Sequence, residues 1–368
     1  MAPLASDAGL PPWWEALFDS ACNRSVFLSP AWMQSWLEVY QKDFDGQWIR
    51  WQRGGATVGG CLVLSRVMWK GGVPLRSVFL NATGEGPERT PRAEYNDILH
   101  VAGHESAIAT DMARVLAGMR WSRLLCSGYQ VRSLVGRVVA RLPAARVEHE
   151  PKAASYIDLA SLPAPYEATL TGRCGIRIRR NTRLHEKMHG PCRVTLAASL
   201  EEAGRFFNEL VILHRTSGDS RRPGGAFAGD AVRDFHHRLI ARLWRQRGVE
   251  LVRIGNENTV VGYLYNFTSE AKVYYFQSGL CHGDGGNFSP GLLAHCTAIE
   301  HYRQCGLDEY DFPAGDMRYK QSLADECRVL HWTTVYRDRA WIRFFLWLRA
   351  LRAGIRARGN PDTPRGGS

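Results

Sequence analysis

Several side chains near the end of this sequence have types and spacing suited to a reaction centre. Asp311 closes the short run Tyr310-Asp311-Phe312, and Asp316, Tyr319 and Lys320 follow closely. A carboxylate where a strand meets a loop can take a proton from an incoming group or orient it. A lysine beside it can hold a phosphate or a substrate carboxylate. The same residues also permit a structural pairing of Asp311 with Lys320 or Arg318, with Tyr319 in the core.

A second group would bind rather than react. Ser289-Pro290-Gly291 reads as an N-cap, a proline at the first helical position and a glycine that lets a ligand approach the backbone. The first-turn amides of that helix, through Gly291 and Leu292, and the positive end of its dipole would attract an anion. Gly283, Gly285 and Gly286 supply a pliable approach; an ordinary capped helix after a glycine-rich loop is the alternative. His214 ends a helix whose Phe206, Leu210 and Leu213 share a face. It could serve as a general base near neutral pH or bond the helix's last carbonyls. The loop 216–229 after it could cover an acceptor. Arg173, Arg177 and Arg180 share one helical face, which suits contact with anionic groups and equally suits a solvated surface.

The elements that must position these residues follow one order twice. After a helix opening at Ser29-Pro30 come three apolar runs (47–53, 57–68, 75–81), a helix (105–118), a strand (122–126), a helix (131–142) and a strand (146–159). The second half gives helices at 200–214 and 230–247, then strands at 250–254, 259–268 and 272–280. A helix (290–304), a strand (309–312), a short helix (317–324) and a strand (328–337) complete it. Both halves read βββ–α–β–α–β, without a residue-level repeat. The fold class is α/β (α+β), with units at 1–155 and 156–340. Residues 341–368 form a basic aromatic terminal helix and a disordered tail; the helix could lie on an anionic membrane surface or pack on the second unit.

With 368 residues and 45% hydrophobic content, each half can bury a core. No apolar run approaches the roughly 18 residues of a membrane span, and no signal peptide is visible, so a cytoplasmic location is expected. Nine cysteines without a CxxC spacing speak against a disulfide framework. Cys281-His282 and His295-Cys296 lack spaced partners, and no metal is expected. The net charge of +11 suits an anionic partner, tRNA among them, and also an Arg-rich composition without such a role.

Further stretches carry a family likeness: Phe27-Leu28-Ser29-Pro30-Ala31-Trp32, Ile176–Asn181, Leu210–Arg215, Gly225-Ala226-Phe227, Phe235-His236, Ser289-Pro290-Gly291 and Tyr310–Lys320. In this order they resemble GNAT-superfamily acetyltransferases of the cellulose and exopolysaccharide-biosynthesis type, which in turn resemble FemAB-like tandem acyltransferases. The resemblance implies two tandem GNAT-like domains, each a mixed sheet flanked by helices. It implies transfer of an acyl group, acetyl foremost, from acyl-CoA or an acyl carrier protein to a small-molecule amine or amino sugar. Catalytic roles would fall to Asp311, Tyr319 (as the acid for the leaving thiolate) and His214. Donor contacts would fall to Ser289, Gly291, Leu292 and Lys320, and acceptor contacts to Arg177, Arg180, Phe227 and Asp316. An aminoacyl-tRNA donor, a hydroxyl acceptor or a non-catalytic binding module are the competing readings.

Overall fold

The computed structural model describes residues 2–3, 9–216, 226–282, 288–315, 318–324 and 326–358, with the side chains of 2–3, 318–319, 321 and 352–358 outside that description. The first half runs β1 (Ala2–Pro3), α1 (Pro12–Ser20), α2 (Pro30–Tyr40), β2 (Asp45–Arg53), β3 (Ala56–Lys70), β4 (Val73–Leu80), β5 (Leu99–His100), α3 (Glu105–Gly118), β6 (Arg123–Tyr129), α4 (Leu134–Val139) and β7 (Ala144–Asp158). Next come α5 (Tyr166–Thr169), α6 (Gly172–His189), β8 (Arg193–Leu196), α7 (Leu200–Thr216) and α8 (Asp230–Arg245). The chain then forms β9 (Val249–Gly255), β10 (Val260–Ser269), β11 (Lys272–Leu280), α9 (Pro290–Gln304), β12 (Glu309–Asp311), α10 (Arg318–Leu323), β13 (Glu326–Arg337) and α11 (Ala340–Arg358). The doubled order expected from the sequence is present: β2-β3-β4-α3-β6-α4-β7 corresponds to β9-β10-β11-α9-β12-α10-β13.

One mixed sheet joins the halves, in the order β1-β2-β3-β4-β6-β13-β7-β12-β11-β10-β9-β8, with β5 on β3. Within each half one parallel pair forms, β4 with β6 and β11 with β12. The last strands are exchanged. β7 pairs with β12 of the second half, and β13 pairs with β6 of the first half. β7 and β13 then pair with each other along most of their lengths, Tyr156 opposite Glu326 and Ala144 opposite Arg337. The expected boundary at 155/156 therefore falls inside β7.

Local chemistry explains how the helices are placed. Ser29 caps α2 as its Oγ accepts from the Trp32 amide at 3.2 Å, and Pro30 occupies the first turn, where no amide partner is needed. α2 and α8 bury Trp32 against Phe235 edge-on, with centroids 4.9 Å apart, in a core shared by both halves. Arg238 and Arg242 of α8 seal the rim on Glu38 of α2. α11 packs through Ile342, Phe345 and Leu346 on Leu75 and Tyr336 of β4 and β13, so it docks across the exchanged sheet. Its Trp341, Phe344 and Trp347 remain exposed. Among the described residues, no helix is long and apolar enough to cross a membrane.

Candidate functional site

β11 and β12 pair only from Lys272–Tyr274 to Glu309–Asp311. β12 then stops while β11 runs on to Leu280, and a β-bulge at Phe276 of β11, between the Tyr265–Gln277 and Asn266–Tyr275 pairs, bends the sheet there. The parting opens into a cavity of about 960 Å³. Tyr275–Ser278 of β11 line one wall and Ser289–Leu292 at the start of α9 another. Asp311, the Pro313–Gly315 turn and Lys320 line its base, and the first half contributes the loop residues from Thr83 to Tyr95. Strand pairing thus ends where a carboxylate begins, leaving a strand edge to face the cavity.

Asp311 is 2% exposed and anchors a network that crosses the halves. Its Oδ2 accepts from the Tyr95 hydroxyl at 2.5 Å and from Arg328 of β13 at 3.2 Å. Arg328 also holds Glu309 at 2.8 Å and lies over the Tyr156 ring at 3.9 Å. Burial pushes the Asp311 carboxyl up to about 8, against the opposite pull of Arg328 and the Tyr95 hydroxyl. Burial and the adjoining Asp311 charge raise Tyr95 well above the usual tyrosine range, so its hydroxyl stays a donor.

Glu94 supplies a second carboxyl. Both of its oxygens accept from the Ala314 amide, at 3.1 and 3.0 Å, and burial raises its pKa to about 6. Lys320 Nζ donates to the Pro313 carbonyl at 2.6 Å; burial lowers its pKa to about 8, while Glu94 and Asp311 act in the opposite sense. Lys320 is therefore a buried partner of the two acids, placed by the first turn of α10.

The loop carrying Glu94 and Tyr95 is built to hold a strained shape. Arg92 and Tyr95, on either side of Glu94, have φ of 57° and 49°, a region that non-glycine residues seldom occupy. Its ends are tied by Asn81 Nδ2, which donates to Asn96 Oδ1 at 2.8 Å and to the Asp97 carbonyl at 2.7 Å. Gly128, at φ 64°, lies under it; an added Cβ there would come 2.9 Å from the Ala93 oxygen and from Glu94 Cα. Glu94, Tyr95 and Arg328 were not among the residues singled out from the sequence. The run Gly84-Glu85-Gly86-Pro87 to Pro91 signals a long loop, which is where such groups concentrate, but nothing local says which residues face the second half.

The start of α9 differs from the expected cap. Pro290 is in the first turn, yet the Ser289 side chain caps nothing; its Oγ accepts from Arg177 Nη2 of α6. Asn181, one turn further along α6, donates to the Ser289 carbonyl at 3.3 Å. The Ser289 hydroxyl is turned to the guanidinium instead of the first-turn amides, so among the described residues no N-cap side chain closes the helix start, and a cation stands beside it. Gly291 and Leu292 face the cavity as anticipated. Gly283, Gly285 and Gly286 lie outside the described residues.

His214 lines the cavity, but both ring nitrogens are engaged. Nε2 accepts from the Ala226 amide at 3.2 Å, which places the proton on Nδ1, 3.1 Å from the Ser278 carbonyl it donates to. With both nitrogens bonded to backbone groups, the arrangement suits a positioning role for His214 rather than the general-base role expected from the sequence. The ring ties Ala226 to β11, while residues 217–225 of the loop expected to cover an acceptor lie outside the described residues. Gly279 permits the closeness of α7 to β11, since a Cβ there would sit 2.3 Å from the Leu210 carbonyl oxygen of α7. Phe227 is fully buried against Phe207 and His236 and borders the cavity. Arg180 is exposed on α6 and is not part of the cavity lining, unlike Arg177. Asp316 lies outside the described residues; Tyr319 is placed by its backbone alone, in α10 beside Lys320. His295, buried at the cavity, bonds the Tyr310 hydroxyl at 3.1 Å, whereas Cys296 is buried in the second-half core.

Residues 174–321 match the acetyltransferase (GNAT) domain family. No curated protein matches the sequence. Among solved structures, L-PGS from Bacillus licheniformis shares the fold at TM-score 0.54 and 8% identity, covering 90% of this chain and 93% of that one. The C-terminal domain of a candidate lysylphosphatidylglycerol synthetase from Agrobacterium fabrum aligns at 0.50 and 9% identity, over 85% and 90%. A conserved protein of unknown function from Bacteroides thetaiotaomicron aligns at 0.50 and 10% identity, over 88% and 96%. At these identities the likeness is one of fold, and it extends over both halves. The GNAT match runs from within α6 to within α10, the segment that forms the Arg177–Ser289 wall and carries Asp311 and Lys320.

Proposed function

We propose that this chain is an acyltransferase that moves an acyl group, acetyl foremost, from a CoA thioester to the amine of a small molecule. The observation that carries the reading is the parting of β11 from β12 at Asp311 into a cavity that reaches the uncapped start of α9 beside Arg177. That end suits a polyanionic carrier, because amides, helix dipole and guanidinium all favour negative charge. The residues present therefore fit the donor. When bound, the thioester would supply an activated acyl carbon and a thiol leaving group.

In this reading Gly291, Leu292 and Arg177, with Ser289 bonded to Arg177, hold the phosphates. The edge of β11 from Tyr275 to Leu280 offers backbone groups to an extended arm leading toward Asp311. Asp311 takes the proton from the attacking ammonium, a task suited to a carboxyl raised toward neutral pH. Glu94 and Lys320 set the charge around it, Tyr95 and Arg328 fix its rotamer, and Tyr319 returns a proton to the departing thiolate. Phe227 walls the acceptor side, with Arg180 and Asp316 as outer contacts. An amino sugar, as in exopolysaccharide assembly, is the acceptor class that the sequence resemblance suggests, and a cytoplasmic site of action goes with a CoA donor.

Calorimetric titration with CoA and acetyl-CoA, followed by product mass across an amine panel, tests the proposal. Saturable binding that weakens in Arg177→Ala, together with an acylated product lost in Asp311→Asn, is expected. Binding of aminoacyl-tRNA or acyl carrier protein without CoA binding would reassign the donor. An acylated hydroxyl would reassign the acceptor, and turnover undiminished in Asp311→Asn would remove the chemistry proposed here.

A further inference from the structure

A cluster away from the cavity is unused by the chemistry above. Cys22 follows α1, His100 ends β5 and Glu105 opens α3, so three distant segments converge. Cys22 Sγ lies 3.4 Å from His100 Nε2, and Glu105 Oε1 lies 3.8 Å from the same nitrogen. All three donor atoms fall within 4.8 Å of one another, and they are the one such His/Cys/Asp/Glu group among the described residues. From these contacts we propose that Cys22, His100 and Glu105 form a binding site for a divalent transition metal, with zinc the best match.

The spacing supports it. A tetrahedral zinc with bonds of about 2.0–2.3 Å sets its ligand atoms roughly 3.3–3.6 Å apart, so the sulfur–nitrogen separation already fits, and the Glu105 carboxylate, 3.8 Å from His100 and within 4.8 Å of Cys22, would have to move inward to complete the set. The imidazole is oriented for ligation. Its Nδ1 lies 2.9 Å from the Ile98 carbonyl, which fixes the proton there and turns the Nε2 lone pair toward Cys22 and Glu105. The backbone is braced as well: the Cys22 amide donates to the His100 carbonyl at 3.0 Å, and the His100 amide donates to Asn23 Oδ1 at 3.1 Å. Asn23 is in turn held by Asp97 at 2.8 Å.

Thiolate, imidazole and carboxylate form the mixed S/N/O set that zinc accepts, and the two anionic ligands balance its charge. On binding, sulfur exchanges its proton for the metal, and the proton leaves to solvent. Cys22 is exposed, so a fourth position faces outward for water or a group from another molecule. The bound ion would tie the turn after α1 to β5 and α3. The adjacent Cys–His pairs in the sequence gave no hint of it, because Cys22 is brought to His100 only by folding.

Cobalt and zinc titrations of the full chain test this without reference to turnover. One equivalent of Co²⁺ should produce a thiolate-to-metal charge-transfer band, and excess Zn²⁺ should abolish it. Cys22→Ser should erase the band. His100→Gln and Glu105→Gln should each weaken Zn²⁺ binding, measured by competition with a chromophoric chelator, by at least roughly tenfold. Glu105 is partly exposed and can be replaced without opening the core, so that variant remains informative if His100→Gln misfolds. Cys305→Ser, at another exposed cysteine beside His301, should leave the band unchanged. Zn²⁺ should also raise the melting temperature of the parent chain and not of Cys22→Ser. A band that survives Cys22→Ser, one that vanishes in Cys305→Ser, or the absence of any thiolate band overturns the proposal.

Discussion

The Tyr95 hydroxyl donates to Asp311 Oδ2 at 2.5 Å, closing a loop of the first half onto a strand end of the second. A hydrogen bond to a charged group contributes about 1.5–3 kcal/mol, and each 1.4 kcal/mol is a factor of ten. Tyr95→Phe should therefore lower kcat about 10- to 100-fold while the donor KM changes little. Steady-state kinetics on the amine identified by product mass would check it.

Asp311 sets the pH dependence. Only its deprotonated form can take a proton, so kcat/KM should climb with pH toward an apparent pKa of about 8. In Asp311→Asn that limb should vanish and kcat should drop by roughly 10²- to 10⁴-fold. A pH–rate profile of both proteins decides the point.

Stability should respond to the same group in the opposite direction. Between the ordinary aspartate range and about 8, the folded state keeps a proton that the unfolded chain has released, so stability falls as pH rises through that window. Glu94, raised to about 6, adds to the fall in its lower part. Thermal melts from acid to mildly alkaline pH should show the slope, and Asp311→Asn should flatten it.

Arg177 should matter for binding more than for the chemical step. It bonds Ser289 at the start of α9, whereas Asp311 is held by Tyr95 and Arg328, so Arg177→Ala should raise the donor KM about tenfold with kcat nearly unchanged. Added salt should narrow the gap between variant and parent, because the site is open to solvent.

His214 offers a contrast. With Nε2 and Nδ1 both committed to backbone groups, His214→Ala should lose about 1–3 kcal/mol of stability in a denaturant titration. The shape of the pH–rate profile should stay as it is. A new or missing ionisation in that profile would restore His214 as a base.

The exchanged strands make the halves interdependent. β13 fills the gap between β6 and β7, so a chain ended before Glu326 leaves both with unpaired edges and removes Arg328 from Asp311. Such a truncation should lose cooperative unfolding in the first half as well as the second, as native-state hydrogen exchange would report. A folded, fully protected first half in the shortened chain would contradict this.

The sequence alone determined what is local. Periodicity and turn residues placed both runs of strands and helices, Ser29 and Pro30 marked the start of α2, and the Tyr310–Lys320 stretch exposed Asp311 and Lys320 as candidates. These signals work because propensity, capping and alternation act within a few residues. Tertiary structure decided the rest. Strand pairing is a long-range choice, and no local pattern required β7 and β13 to change places. Glu94 and Tyr95 became site residues only when their loop met β12, and Ser289 gave up its expected cap to Arg177, supplied by another helix. His214 lost its freedom to Ser278 and Ala226. In each case the deciding partner lies far along the chain, where only packing and the burial of polar groups select it.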